Sequence, residues 1–296
     1  MERVLSTYRF IGQPLSLELI GEAASAGIKS VEVFCDSAHF NYHSPQSIRD
    51  LGDWLNAHGV ALHSLHSPTE RESSAGRDSG SPISICDPER TRRLDAMDEV
   101  KRALDVAERL PFRYLVQHMG HGRQSADGRK LDAAFNSLEH LVIFAKQRGV
   151  TIALENTPGE IGAPETLQTL IRETHLVDLR FCFDFGHAHI EEGVAKSFET
   201  MRDRIVTTHI HDNHGDTDEH LLPFEGTIDW EAALKLVAAA RRRAGETPVV
   251  REPNPLPLVI ELKEQSGGSP SMSQIRVALD KLEQKLESEQ ERSSQN

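Results

Sequence analysis

The sequence predicts an α/β protein folded as a single (β/α)8 TIM barrel over residues 1–285. Three observations carry that expectation. Eight short apolar runs alternate with helical segments, the pattern of a parallel sheet joined by helical crossovers. No glycine-rich phosphate fingerprint follows the first run, as an open doubly wound sheet would show, so no nucleotide cofactor is expected. Side chains able to hold a metal or move a proton recur at the ends of consecutive runs, where barrels of this class place their active sites.

The elements can be taken in order. A first strand covers residues 4–8, and a helix through Leu15, Leu19, Ile20 and Ala23 ends near Gly27. The second strand covers 28–34. Pro45 opens a helix over Ile48, Leu51, Trp54 and Leu55 that stops at Gly59, a glycine C-cap signal. The third strand, 60–66, leads into residues 67–89, rich in Ser, Gly and Pro and without periodicity; they read equally as a long lid-like loop or as a floppy surface insertion. Leu94, Met97, Val100, Leu104 and Ala107 mark a helix over 91–110, and strand four is 112–118. A helix ending at Gly149, strand five (150–155), a helix over 165–173 and strand six (179–183) follow. A helical patch near 195–201 precedes strand seven (205–211), a helix over 230–243 and strand eight (258–262). GGSP at 267–270 reads as a glycine turn. A final helix starts at Ser271, and 286–296 reads as a charged, disordered tail.

Composition bounds the partners. The 296 residues carry 38% hydrophobic and 27% charged side chains, which suits a globular protein with a sizeable core. No apolar run approaches the roughly 20 residues of a membrane span. A net charge of −13 lacks the broad positive footprint that drives phosphate-backbone binding, so nucleic acid is disfavoured as a partner. The N-terminus, MERVLSTYRF, has no apolar signal core, and Cys35, Cys86 and Cys182 show no paired spacing; both point to the cytoplasm. A homo-oligomer is compatible with the sequence, which does not specify one.

Residues 180–220 hold Asp184, His187, His189, His209, His211, Asp212, His214, Asp216, Asp218 and His220 in two clusters, each after an apolar strand. One such residue alone reads as a cap; ten in two clusters read as ligands for a divalent cation. His66, His118, Glu155 and Glu261 end other strands, so six consecutive strands deliver a ligand-type side chain to one rim. Alternation puts His209 and His211 on one face of strand seven; His209 is favoured as the ligand and His211 as a supporting or substrate-binding group. Glu155 and Glu261 are placed to face each other across a substrate carbon. There, with a metal polarising the adjacent carbonyl, one can remove a proton and the other return it.

ALEN (153–156), FDFGHAH (183–189), HIHDN (209–213), DEHLLPFEGTIDW (218–230) and VIE (259–261) together resemble the xylose-isomerase-like barrel superfamily, which includes sugar isomerases and epimerases and the endonuclease IV class of abasic-site nucleases. The resemblance covers about 4–282. From the epimerase-like members it implies one divalent metal (Mn, Mg, Co or Zn) held by Glu155, Asp184, His209 and Glu261. Glu155 and Glu261 would be the acid/base pair, and His187 would contact a substrate oxygen, with His66, His118 and His211 as further substrate-binding groups. The expected activity is isomerisation or epimerisation of a small sugar or sugar-like polyol or keto substrate. The alternative it implies is a trinuclear-zinc phosphodiester hydrolase acting on abasic DNA, whose ligands would add His66, His118, His187, Asp218 and His220 to the same four. HIHDNH and SLHSPTERESS depart from the nuclease pattern, which favours the first expectation.

Overall fold

The computed structural model describes residues 2–70, 81–243, 256–264 and 268–294. Eight parallel strands close into a barrel in chain order: β1 Arg3–Ser6, β2 Ser30–Phe34, β3 Ala61–His66, β4 Tyr114–Gln117, β5 Thr151–Glu155, β6 Arg180–Asp184, β7 Ile205–Ile210 and β8 Leu258–Ile260. Strand β8 closes the ring, pairing His209 with Val259 on one side and Leu5 with Ile260 on the other. Around it run α1 Leu17–Ser25, α2 Pro45–His58, α3 Arg90–Asp105, α4 Gly128–Lys146, α5 Pro164–Thr174, α6 Phe185–Ile190, α7 Val194–Met201, α8 Trp230–Arg243 and α9 Met272–Ser294. The expected (β/α)8 architecture is the one the chain adopts.

Strand alternation decides which side chains reach the barrel interior. Leu115, Ile152, Leu154, Phe181 and Phe183 point outward and pack with helix residues such as Leu138, Leu141, Leu167 and Leu170. Each such buried side chain contributes roughly 1.5–3 kcal/mol through removal of apolar surface from water. Tyr114, Val116, Ala153, Cys182 and Val206 point the other way and form a small interior cluster. Glu155 has the parity of Ala153, and Asp184 that of Cys182, so both carboxylates continue the inward-facing rows.

Local signals hold the helices where expected. Ser44 caps α2 through the Ser47 N–H, Pro45 occupies its first turn, and Gly59 ends it at φ 64. Asp127 caps α4 through the N–H groups of Arg129 and Lys130.

Two expectations need correction. Residues 67–89 are not a structureless loop at their two arms: Ile83 donates its N–H to the Thr69 carbonyl at 2.8 Å, Glu70 bridges to Pro82, and Ile85 and Cys86 are buried. The apolar side chains of ISIC give the returning arm something to bury. The tip, 71–80, where a lid would lie, is outside the described residues. Residues 286–294 are not a disordered tail, because helix α9 continues to Ser294 and buries Leu282 and Leu286 one turn apart; residues 295–296 lie outside the description. The FGHAHI run, to which the sequence assigns no element, is the short helix α6. Of GGSP, Gly267 is not described, and Gly268 takes the positive φ of 98° that a glycine turn requires. Among the described residues no helix is long and apolar enough to cross a membrane.

Candidate metal centre

The C-terminal ends of six strands meet above the interior cluster. His66 ends β3, Glu155 ends β5, Asp184 ends β6, and His209 lies one residue before the end of β7. His118 and Glu261 immediately follow β4 and β8, and Asp218 and His220 come from the loop after β7. One potential ligand atom from each of Glu155, Asp184, His209 and Glu261 lies within 4.8 Å of the other three. His187, His211, Asp218 and His220 form a second such group, and His66, His118 and Glu155 a third. Bonds of about 2 Å to a shared cation bring donor atoms to this order of separation.

Hydrogen bonds at the rear of the rings aim the histidines. His66 Nδ1 donates to the Ser67 carbonyl at 2.8 Å, His187 Nδ1 to the Asn156 carbonyl at 2.9 Å, and His220 Nδ1 to the Glu261 carbonyl at 3.1 Å. A carbonyl only accepts, so each Nδ1 carries a proton, and Nε2 is the nitrogen that offers a lone pair to a cation once the ring is neutral, as in metal-ligating histidines. His187 Nε2 and His220 Nε2 then converge on Asp218 Oδ2 at 3.4 and 3.0 Å. His209 is turned the other way. Its Nδ1 lies 3.3 Å from Glu155 Oε1, 3.4 Å from Glu261 Oε2 and 3.7 Å from Asp184 Oδ2, yet it is buried without a hydrogen-bond partner. An orphaned buried nitrogen ringed by three carboxylate oxygens is what a cation site leaves, so the four residues fit a divalent metal.

The sequence folds this way locally for identifiable reasons. Asp184 Oδ1 accepts the His187 N–H at 2.6 Å, so a candidate ligand caps the helix that carries another. Asn156 clasps β6 with its side chain, donating to the Asp184 carbonyl and accepting the Asp184 N–H. Gly186 lets His211 approach: a Cβ there would stand 2.0 Å from the ring. His220 holds a left-handed backbone at φ 50°, uncommon for a residue with a side chain and typical of functional positions.

Charge is strongly coupled here. Burial opposes ionisation of Glu155, but His209 and His118 hold its carboxyl well below the usual range. Asp184, buried beside His187 and His211, is likewise lowered, and Asp218 is held low by His187 and His220 against its own burial. Burial and nearby Glu155 push Glu261 up to about 7, against the pull of His209. Burial disfavours the charged forms of His187 and His209, but neighbouring carboxylates outweigh it and raise both well above the ordinary histidine value. His118 is lowered by burial. Two carboxylates on one centre, one easily ionised and one not, can divide base and acid roles.

All nine sequence-predicted ligand positions, together with His211, fall into these groups. His211 is buried, with Nε2 3.0 Å from Asp184 Oδ2. His189, His214 and Asp216 do not join: His189 meets Thr227, His214 pairs with Glu219, and Asp216 is exposed. Asp212 is fully buried and serves the loop after β7, accepting from Asn213, Ile228, Phe224 and Trp230. Sequence reasoning missed three groups that touch the site. Asn156 closes the ALEN run at 153–156, where nothing in the sequence signals its contact with Asp184. Tyr8, whose ring lies 5.2 Å from His220, has its hydroxyl pKa raised by burial and by Glu261 and Asp218. Glu32 sits beneath His209.

The fold is a (β/α)8 barrel with carboxylates and imidazoles gathered at the C-terminal ends of its strands, where barrels of this class place their active sites. The chain belongs to the xylose isomerase-like TIM barrel family, whose model matches residues 20–244. It is 33% identical over 172 residues to the uncharacterized protein y4fM of Sinorhizobium fredii, a match spanning 54% of this chain and 55% of that one. It is 25% identical over 281 residues to a probable endonuclease 4 of Haloarcula marismortui, covering 85% of this chain and 92% of that protein. A solved structure of a D-tagatose 3-epimerase-like protein superposes with a TM-score of 0.76 at 23% identity, over 97% of this chain and 99% of that one, a likeness of fold.

Proposed function

We propose that the protein is a divalent-metal-dependent isomerase or epimerase of a small sugar or related polyol or keto compound. The observation that carries this reading is the convergence of Glu155 and Glu261, from opposite parts of the barrel, on one buried centre with Asp184 and His209. The fold neighbour described as D-tagatose 3-epimerase-like supports the same class. A cation bound by these four residues would polarise the substrate carbonyl and acidify the adjacent C–H; three carboxylates and one imidazole suit manganese, magnesium, cobalt or zinc.

The chain's own residues do the rest. Glu155, held ionised, takes the proton from the carbon on its side. Glu261, the carboxyl most ready to hold a proton near neutrality, returns one from the other side. His187, Nδ1-protonated by its bond to Asn156, offers Nε2 toward a substrate hydroxyl. His66 and Tyr8 border the centre against Phe34 and His220 and help exclude water. The three cysteines are free and buried, which fits the cytoplasmic setting proposed here. The test is exchange of a ketose C–H for deuterium from solvent by the manganese-loaded protein. Exchange that persists in Glu155→Gln would sink the assignment of that base.

A second reading has its own observation. The groups His187–His211–Asp218–His220 and His66–His118–Glu155 offer two cation sites beside the first, as a trinuclear phosphodiester hydrolase needs. The probable endonuclease 4 relative supports it. Metal content separates the two readings: close to one cation per chain favours the isomerase, whereas close to three zinc ions with cleavage of abasic DNA favours the hydrolase.

A further inference from the structure

We propose that Glu32 is a positioning residue for the metal centre, its carboxylate taking the Nε2–H of His209 and so presenting the His209 Nδ1 lone pair to the cation shared with Glu155, Asp184 and Glu261. The inference rests on the proposed metal reading, though not on the identity of the substrate.

Glu32 lies within β2, deep in the barrel and fully buried. A carboxylate there gives up its hydration, and a hydrocarbon side chain would fill the space more cheaply, so its presence needs a reason. It forms no ion pair with Lys or Arg among the described residues. Its contacts are His209 Nε2, at 3.1 Å from Oε1 and 3.3 Å from Oε2, and the Ser64 hydroxyl, which donates to Oε2 at 2.7 Å. The barrel register sets this up: Glu32 and Ser64 are direct partners across β2 and β3, at the point where the pairing shifts by one residue. Ser64 therefore fixes the carboxylate, and the carboxylate fixes the ring.

The consequence lies at the opposite edge of the imidazole. With the proton on Nε2, Nδ1 is a lone pair, and Nδ1 is the buried nitrogen without a partner among the three carboxylate oxygens. His66, His187 and His220 are anchored through neutral backbone carbonyls. His209 is anchored through an anion, which both orients the ring and increases electron donation from its far nitrogen. Glu32 thereby sets how tightly this centre holds its cation while contacting neither cation nor substrate.

The experiment is zinc affinity by chelator competition, together with 15N–1H correlation spectra of the histidine rings, on wild type, Glu32→Gln and Ser64→Ala. Wild-type protein should show His209 ligated through Nδ1 with its proton on Nε2. Glu32→Gln should weaken zinc binding ~10–100-fold at this centre and perturb the His209 tautomer signal, as loss of an outer partner to a ligating histidine does. Ser64→Ala, which keeps the carboxylate and removes its anchor, should weaken binding by a smaller factor. Ligation of wild-type His209 through Nε2, or affinity within twofold of wild type in a folded Glu32→Gln, would overturn the inference. If Glu32→Gln does not fold, unchanged affinity in Ser64→Ala together with an unligated Nδ1 in wild type overturns it as well. Wild-type protein that takes up no cation defeats the metal reading itself, a result distinct from a wild type and variant that bind alike.

Discussion

Asp184 and Asp212 end or follow adjacent strands, both are fully buried, and both begin a short run of histidines. They do different things. An ionised carboxylate has about four acceptor positions. Asp212 fills all four: Oδ1 takes the N–H groups of Asn213 and Ile228 at 2.9 and 3.1 Å, and Oδ2 takes the Phe224 N–H at 2.9 Å and Trp230 Nε1 at 2.8 Å. Asp184 takes the His187 N–H and lies 3.0 Å from His211 Nε2, with its remaining capacity facing His209, Glu155 and Glu261. A saturated carboxylate is structural; one with capacity left in a buried polar pocket is available to a ligand.

The largest effect should come from exchanging each aspartate for asparagine. Asp184→Asn should reduce cation affinity roughly 100-fold or more, beyond the loss of an outer partner, and remove activity, with a smaller loss of thermal stability in the metal-free protein than Asp212→Asn. Asp212→Asn should do the reverse, costing about 3 kcal/mol or more because an amide nitrogen cannot accept two of the four hydrogen bonds. Thermal unfolding with and without chelator reads both, and equal behaviour of the two variants would erase the distinction.

Acidity sharpens the comparison next. His187 and His209 are raised in the fold, so their contribution to stability is complete below about 6.5 and is lost as pH rises through their folded values. Glu261, raised to about 7, acts in the same direction at lower pH. Glu155, Asp184 and Asp218 are lowered, so their contribution is present above about 4 and is lost as pH falls through their folded values. Metal-stripped protein should therefore melt at a higher temperature at about pH 6 than at about pH 9. Metal-loaded protein should show the opposite trend over that range, because imidazoles must shed protons to ligate. Calorimetry of both forms checks it; parallel trends would mean the rings do not bind the cation.

The smallest contrast is between two glycines. A Cβ at Gly186 meets the His211 ring at 2.0 Å, whereas one at Gly226 meets the Asn213 carbonyl oxygen at 2.3 Å and Asp212 Oδ1 at 2.4 Å. Gly226→Ala should cost about 1–3 kcal/mol of stability with cation affinity nearly unchanged once folded. Gly186→Ala should shift His211 and with it Asp184, so that affinity suffers more than stability. Zinc competition and melting curves on both variants decide this.

Much of the candidate site was legible because a barrel converts strand order into spatial convergence: the grouping of His66, His118, Glu155, Asp184, His209 and Glu261 follows from their strand ends. Glu32 was not, because an acidic residue between Val31 and Val33 in an alternating strand reads as a solvent-facing position. In an all-parallel barrel neither strand face meets water, so the same residue marks an inward polar contact. The division of labour between Asp184 and Asp212 was hidden for another reason. It depends on which donors surround each one, and Trp230 and Phe224 reach Asp212 only through a loop whose course no periodicity specifies. Helix α6 escaped because six residues are too few to show a 3.6-residue period, although the Asp184-to-His187 spacing is itself a capping signal. The tail was misread from its charge, which concealed the buried spacing of Leu282 and Leu286.

The tethers on His187 and His220 have a further consequence. Each runs to a peptide oxygen, that of Asn156 beside Glu155 and that of Glu261 itself. Peptide oxygens survive every side-chain substitution. A descendant of this chain that exchanged Glu155 or Glu261 for another residue would inherit both rings already aimed at Asp218. The two halves of the rim can thus diverge separately, one keeping its ligands in place while the other is recruited to new chemistry.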